Sequence, residues 1–408
     1  MPQIRARELQ RAIRGDRRRR STLAFALVAP LLLFLAGNFL VPVGMMFYRA
    51  IDDRPASRLL ARTIAAMRDA GPGAVPAEAA FAALHADLRE ARANRQISTI
   101  GIRLNSVQPG LQTMVARTAR VIGAEAPADA RAALVGIDRR WGESDVWAAI
   151  RQVSAPVTPQ YLLAALDLSI DRDGRLVRVP VDYAVFQDLW LRTLWMALVV
   201  TGLCALIGYP LAYWMAQLSP RLAAVAVVLV LVPFWTSVLV RTTAWIALLQ
   251  REGVVNDILV ASSLVDERLQ LIRNRVGVYI TMVHVLLPYT VLPLYAVMRR
   301  IPPSQMRAAM VMGANPAAAF RRVYFPQTRH GVGAGMAMVF ILAVGFYITP
   351  ALVGGRNDQM ISYFIAYFTT ESLNWNAAAA LGVLLLAATT LFYVAFSRVF
   401  GLGRLMMR

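Results

Sequence analysis

Lysine is absent from the 408 residues: all 43 basic side chains are arginine. A Walker-type phosphate loop needs a lysine to reach the nucleotide phosphates. The chain therefore holds no ATPase site of that kind, and Schiff-base chemistry on a lysine is excluded as well. Cysteine is nearly absent too. Cys204 stands alone, so neither an internal disulfide nor a thiolate metal cluster is open to this chain. The three histidines, His85, His284 and His330, never fall at i, i+4 spacing, so a helical zinc pair is missing and no metal site is expected. Charge is scarce, at 16% against 58% apolar residues, with a mean hydropathy of +0.51. A soluble domain carries about 25% charge and about 45–50% apolar residues.

What is present is a set of apolar runs, Thr22–Phe47, Leu194–Gln217, Leu222–Leu248, Val276–Met298, Val332–Val353 and Asn376–Val399, none of which contains Asp or Glu. Each exceeds the roughly 20 residues that a helix needs to cross about 30 Å of hydrocarbon. Arginine is distributed unevenly among the connecting segments. Residues 1–21, 218–221, 299–331 and 398–408 hold 18 Arg against two acids, Glu8 and Asp16. The remaining connections, 48–187, 249–275 and 354–375, hold 23 Arg and 21 acids. Cytoplasmic flanks are Arg-rich, so this bias sets an inside N-terminus, six crossings and an inside C-terminus. It also accounts for the net charge of +19 without nucleic acid. Arg17–Arg20 reads as a flank attracted to anionic lipid. The first run spans 26 residues, longer than the roughly 7–15 of a secretory signal, and is expected to stay as a helix. Tyr48, Trp190, Trp195, Trp214, Trp245 and Trp375 fall where interfaces should lie.

Residues 48–187 are too polar for lipid and read as a mainly helical extracytoplasmic insert. Breaks fall at Gly71-Pro72-Gly73, Pro109-Gly110 and Pro180. Phe81, Leu84, Leu88 and Ala91 line one helical face, and Leu134, Ile137 and Trp141 suggest another. Thr158-Pro159 reads as a helix start, and Asp171–Gly174 as a turn between short extended runs. At this length the insert can bury a small core of its own.

The segment from Ile301 to Gly331 reads IPPSQMRAAMVMGANPAAAFRRVYFPQTRHG. Pro302 and Pro303 end the fourth run. Ser304 caps a short helix, Gln305–Met312, and Gly313 closes it in the left-handed conformation. Asn315-Pro316 starts a second helix, which Pro326 stops. The result is a bent elbow bearing Arg307, Arg321, Arg322 and Arg329 and no acid. This segment resembles the EAA signature of ABC-importer permeases, EAA-x3-G-x9-I-x-LP. Ala308-Ala309, Gly313, Val323 and Pro326 fall at the family spacing, while Arg307 replaces the Glu and Phe325 the Leu. Asp188–Ala216 with its GYPLAY, Pro233–Leu249 (PFWTSVLVRTTAWIALL), Gly345–Gly355 (GFYITPALVGG) and Asn374–Ala379 are similar to the spermidine/putrescine branch, in the same order.

The resemblance covers residues 188–400, about half of the chain. It implies an all-α integral membrane protein of ABC type I importer permease architecture with its core at 188–400; hydropathy and charge add a basic tail at 1–21, a first span at 22–47, the periplasmic insert at 48–187, which is not part of the family's common pattern, and a second tail at 401–408. It implies no catalysis here. ATP and Mg would be bound by a cytoplasmic ABC ATPase dimer, a second permease subunit would complete the path, and a periplasmic solute-binding protein would deliver a polyamine-like or other small organic solute at the bacterial inner membrane. Other organic cations, opine-like compounds and small anions remain open as solutes. Coupling to the ATPase would fall to Arg307, Ala308, Ala309, Gly313, Ala314, Phe320 and Pro326. A secondary transporter or channel would need an intramembrane carboxylate or an internal repeat, and the sequence shows neither. Without intramembrane acids, a cation in the path would rest on aromatic faces, for which Trp235, Tyr289 and Tyr347 are candidates. Arg241 stands roughly 28 Å along a straight third span at helical rise, where it would snorkel at the outer interface or touch an outer gate. His284 reads as a hydrogen-bonded packing residue.

Overall fold

The computed structural model describes residues 24–68, 74–123, 125, 127–170, 175–181 and 184–401. The Arg17–Arg20 run, the Gly71-Pro72-Gly73 break and the turn at Asp171–Gly174 lie outside them. Among the described residues the chain is helical except for one antiparallel hairpin, Leu168–Ile170 with Leu176–Arg178, which flanks the expected turn. Five helices are long and apolar enough to cross a membrane: Ala24–Arg49, Phe186–Gln217, Arg275–Met298, Pro316–Gly345 and Trp375–Phe400.

A sixth crossing exists only as a bent pair, Pro220–Trp235 and Val238–Ala261, whose arms meet at 96°. The uninterrupted span expected over Leu222–Leu248 is therefore not formed. Pro233 cannot donate to a helical ladder and sits in a 3₁₀ turn, Val232–Trp235. Thr236 and Ser237 then step into extended backbone (ψ 146° and 153°). Ser237 Oγ accepts from the Val240 N–H at 3.2 Å and caps the second arm. Hydropathy counts apolar residues and is blind to that cap. The bend also removes the straight-helix arithmetic for Arg241, since only about 20 Å of helical rise precedes the turn.

The expected fifth span, Val332–Val353, is displaced as well. Its helix starts at Pro316, passes a π-turn at Phe320–Tyr324 and ends at Gly345; Phe346 is extended, and Ile348–Val353 is a separate short helix. Pro326 does not stop the second elbow helix. The widened turn just before it, closed by the Phe325 N–H on the Phe320 carbonyl, makes room for a residue whose ring would otherwise strike the preceding turn. The first span uses the same device: a π-turn at Ala36–Leu40, closed by the Val41 N–H on the Ala36 carbonyl, precedes Pro42.

Helices Phe186–Gln217, Arg275–Met298 and Pro316–Gly345 form the membrane core, burying Met196, Val200, Met282, Leu286, Phe340 and Val344 against one another. Lipid offers no hydrophobic drive for this, so close packing must supply the attraction. Gly208 and Gly335 provide the closeness. A Cβ on Gly335 would stand 3.0 Å from Thr290 Cα, and one on Gly208 would stand 3.2 Å from Thr290 Cγ2.

The insert buries a core of its own. Phe81, Leu84, Leu88 and Ala91 on helix Glu78–Ala93 pack with Trp141 and Trp147. The Trp147 Nε1–H donates to the Trp141 carbonyl at 2.8 Å, and the Trp141 Nε1–H to Thr118 Oγ1 at 2.9 Å. The face through Leu134, Ile137 and Trp141 is not one helix. Asp138 is extended (φ −150°), ends helix Ala130–Ile137 and caps a 3₁₀ turn, Arg139–Gly142. A buried cluster braces the foot of the lobe from within, and one hydrogen bond ties that foot to the final membrane helix. Arg103 Nε donates to both carboxylate oxygens of Asp53 at 2.7 and 2.6 Å, and the Arg103 guanidinium lies over the Tyr161 ring at 5.2 Å. Asn376, in the final helix, donates to the Asp52 carbonyl at 2.6 Å.

Asp53 and Arg103 are only 1% and 2% exposed, so removing one partner strands the other charge. Arg103→Met should cost about 3–5 kcal/mol, seen as a lower melting temperature and faster proteolysis of the lobe in the detergent-solubilised protein. Asp53→Asn added to it should recover part of the loss.

Candidate functional site

The elbow is built by local rules. Helix Pro303–Val311 starts two residues earlier than the Ser304 cap implies, with Pro302 at the cap position. It ends in a Schellman closure: the Gly313 N–H bonds to the Met310 carbonyl at 3.0 Å and the Ala314 N–H to the Ala309 carbonyl at 3.1 Å. That closure requires a left-handed residue, and Gly313 has φ +93°. Asn315 Oδ1 then accepts from the Ala318 N–H at 2.7 Å and Pro316 opens the next helix. Both corners of the elbow are thus fixed by backbone hydrogen bonds and one side-chain cap.

The elbow is clamped to helix Phe186–Gln217 by rings. Tyr213 meets Phe320 and Tyr324 edge-on at 5.7 and 5.3 Å, and Tyr209 meets Phe320 at 6.2 Å and Phe325 at 5.8 Å. Tyr209 Oη and Thr328 Oγ1 share a hydrogen bond of 3.1 Å. On the other side Arg299 Nη1 donates to the Ala216 and Leu218 carbonyls at 2.9 Å, satisfying orphan acceptors at that helix's C-terminus. Of the expected coupling residues, Arg307, Ala308, Gly313 and Pro326 are exposed, Ala309 is buried, and Ala314 is half-buried. Phe320 faces inward, into the aromatic clamp.

Sequence reasoning missed the tip. Met310, Val311 and Met312 are 39%, 88% and 82% exposed, three successive apolar side chains with no cover in this chain. Exposed apolar patches mark interaction sites. The available signal was their placement just before a left-handed glycine, where side chains splay outward. Tyr209 and Tyr213, at i, i+4 on a membrane helix, were likewise readable as one face.

The expected path residues fall near the two broken helices. Trp235 closes the 3₁₀ turn and is 73% exposed; Tyr347 stands at the second break and is 42% exposed. Tyr289 packs on Phe234 at 5.0 Å. The breaks are joined where Thr242 Oγ1 meets Thr349 Oγ1 at 3.2 Å. His284 is a packing residue as read, its Nδ1 accepting from the Trp245 Nε1–H at 3.0 Å. Arg241 lies in electrostatic range of His284 and Tyr289, and its Nε and Nη1 are buried with no hydrogen-bond partner.

The part of the chain that carries these elements is matched by known proteins. Residues 208–402 fit the model of the binding-protein-dependent transport system inner membrane component family. Over 214 residues the chain is 30% identical to the spermidine/putrescine transport system permease protein PotB of Haemophilus influenzae, covering 51% of this chain and 75% of that one. The chain belongs to this family. It is 32% identical over 210 residues to the inner membrane ABC transporter permease protein YdcU of Escherichia coli, covering 48% and 63% of the two chains. A crystal structure of a bacterial ABC transporter involved in alginate import is similar over 52% of this chain and 79% of that one, at 16% identity and a TM-score of 0.40. The protein is a multi-pass inner-membrane permease subunit of an ABC importer. The insert lobe lies ahead of Gly208, outside the family match.

Phe320→Ala removes a ring that touches three others and should cost about 3 kcal/mol. Trypsin cleavage at Arg321 or Arg322 in inside-out vesicles should accelerate. Tyr209→Phe, which loses only the hydroxyl contact, should raise the cleavage rate far less, by about fivefold, since a single such bond contributes about 1 kcal/mol.

Proposed function

We propose that this subunit forms, with a second permease, the path for a polyamine-like or related small organic solute delivered by a periplasmic binding protein, and that a separate cytoplasmic ABC ATPase drives it through residues 304–326. The observation that carries this is the elbow: a Schellman-locked corner presenting Met310, Val311 and Met312 uncovered. Two fixed corners and a ring clamp make it stiff. An apolar tip beside Arg307, with no acid on the segment, suits a cleft that is greasy inside and acidic at its rim.

Hydrolysis belongs to the partner, which binds ATP and Mg; a chain without lysine has no phosphate-reaching residue of the Walker type. Closure of the ATPase dimer would move the elbow. The ring contacts of Phe320 and Tyr324 with Tyr209 and Tyr213 would carry that motion to helix Phe186–Gln217 as rigid-body rocking. The arginine bias supports cytoplasmic termini and a periplasmic lobe. PotB-like relatives support the polyamine class. Trp235 and Tyr347, with Tyr289 behind them, supply the ring faces an organic cation would use.

Gly313→Val tests the elbow. A side chain meets nothing within 4 Å there, so the cost is in the backbone, about 1–2 kcal/mol for a left-handed L-residue. The variant should insert normally in the membrane yet lose most solute uptake and release the ATPase during purification. Val311→Asp should do the same with the backbone intact. Normal uptake by both variants would remove this reading.

A further inference from the structure

The bent pair carries an arginine that the described residues leave incomplete. Arg241 sits one turn past the break, with Nε and Nη1 shielded from solvent and without an acceptor. The neighbours within reach of its charge offer little. Trp245 has already taken the acceptor nitrogen of His284, and a neutral ring holding its proton on Nε2 then has only a donor left. The apolar runs contain no carboxylate. Arg241 is only partly exposed, and a guanidinium in a membrane segment without compensation costs several kcal/mol, so its acceptor lies outside the described residues.

The surface beside it cannot face lipid. Thr236 and Ser237 are extended and exposed, which interrupts the helical hydrogen-bond ladder. Non-helical backbone at membrane depth is tolerated only where protein covers it or where it lines a watery cavity. Trp235 and Tyr347 are exposed on either side, and Leu239 and Val240 continue the open surface at 56% and 61%. Leu222, Val225 and Leu229 extend it along the first arm.

We propose that this broken face is the contact with the second membrane subunit, and that a carboxylate of that subunit pairs with Arg241. The inference rests on the two-permease reading above. A protein carboxylate fits better than the solute because compensation is needed at every moment of the cycle, whereas solute is present only in passing. Lipid phosphate is excluded by the break, which has to be sheltered from lipid.

The test uses the intact importer purified from its own membranes. Arg241→Glu should cut uptake by about tenfold or more and separate the two membrane subunits on size exclusion. Reversal of one Asp or Glu in the partner's membrane segments to Arg should restore both. Arg241→Met, close in length and uncharged, guards against misfolding: it should reach the membrane at normal levels and still weaken the complex. Arg241→Cys, combined with a cysteine at the rescuing acidic position of the second membrane subunit, should be joined to it by a short bis-maleimide, each maleimide taking one thiol, while Cys204 is buried and out of reach. If Arg241→Glu leaves assembly and uptake unchanged, or no single reversal rescues it, the pairing is wrong. If Arg241→Gln preserves assembly but raises the KM for solute, the guanidinium holds solute and the proposal is overturned. If the wild-type complex contains no second membrane subunit, the two-permease reading itself falls.

Discussion

Inside hydrocarbon every backbone N–H and C=O must find its partner within the protein, and the rest of this structure is arranged around that demand. Proline threatens it most directly, because it lacks a donor and crowds the preceding turn. Pro210, Pro288 and Pro293 are carried inside continuous helices, and at three other prolines the chain uses two further devices. At Pro42 and Pro326 a π-turn widens the helix just upstream and the helix continues. At Pro233 the helix gives up, turns through 96° and restarts on a serine cap. The first solution keeps a straight rod. The second leaves a polar corner that has to be sheltered by something else.

The elbow inherits this logic. Because the π-turn at Phe320–Tyr324 carries the chain past Pro326, the second elbow helix and the fifth membrane helix are one body, Pro316–Gly345. A push on the elbow is then a push on the whole helix. The ring clamp ties the same body to Phe186–Gln217, so two membrane helices respond together. A hinge at Pro326, which the bare motif suggests, would have let the elbow swing without moving the core.

The insert lobe answers a different constraint. It is outside the lipid-compatible part of the chain and builds an ordinary soluble core around Trp141 and Trp147. Its foot is braced internally by the buried Asp53–Arg103 pair beneath Tyr161, and Asn376 ties that foot to the final helix through the Asp52 carbonyl. A buried pair of this kind is costly to break on one side only, so it holds the foot of the lobe in one arrangement.

Much of the protein was legible in its letters. The elbow's left-handed Gly313, its Asn315 cap and the helical face through Phe81, Leu84, Leu88 and Ala91 follow from local rules acting within a few residues. So does the membrane class, since hydropathy and arginine bias are sums over sequence. The bend at Thr236–Ser237, the break at Phe346–Tyr347, the continuity through Pro326 and the placement of Phe320 inside an aromatic clamp were not legible. The bend and the π-turn are closed by near neighbours, Ser237 on Val240 and Phe320 on Phe325, but an apolar pattern does not say which closure the chain adopts; the clamp depends on residues distant in the chain, Tyr209 and Tyr213 for Phe320. Local chemistry fixes a turn by itself, whereas a missing backbone partner or a buried charge is resolved only by whatever the fold brings alongside.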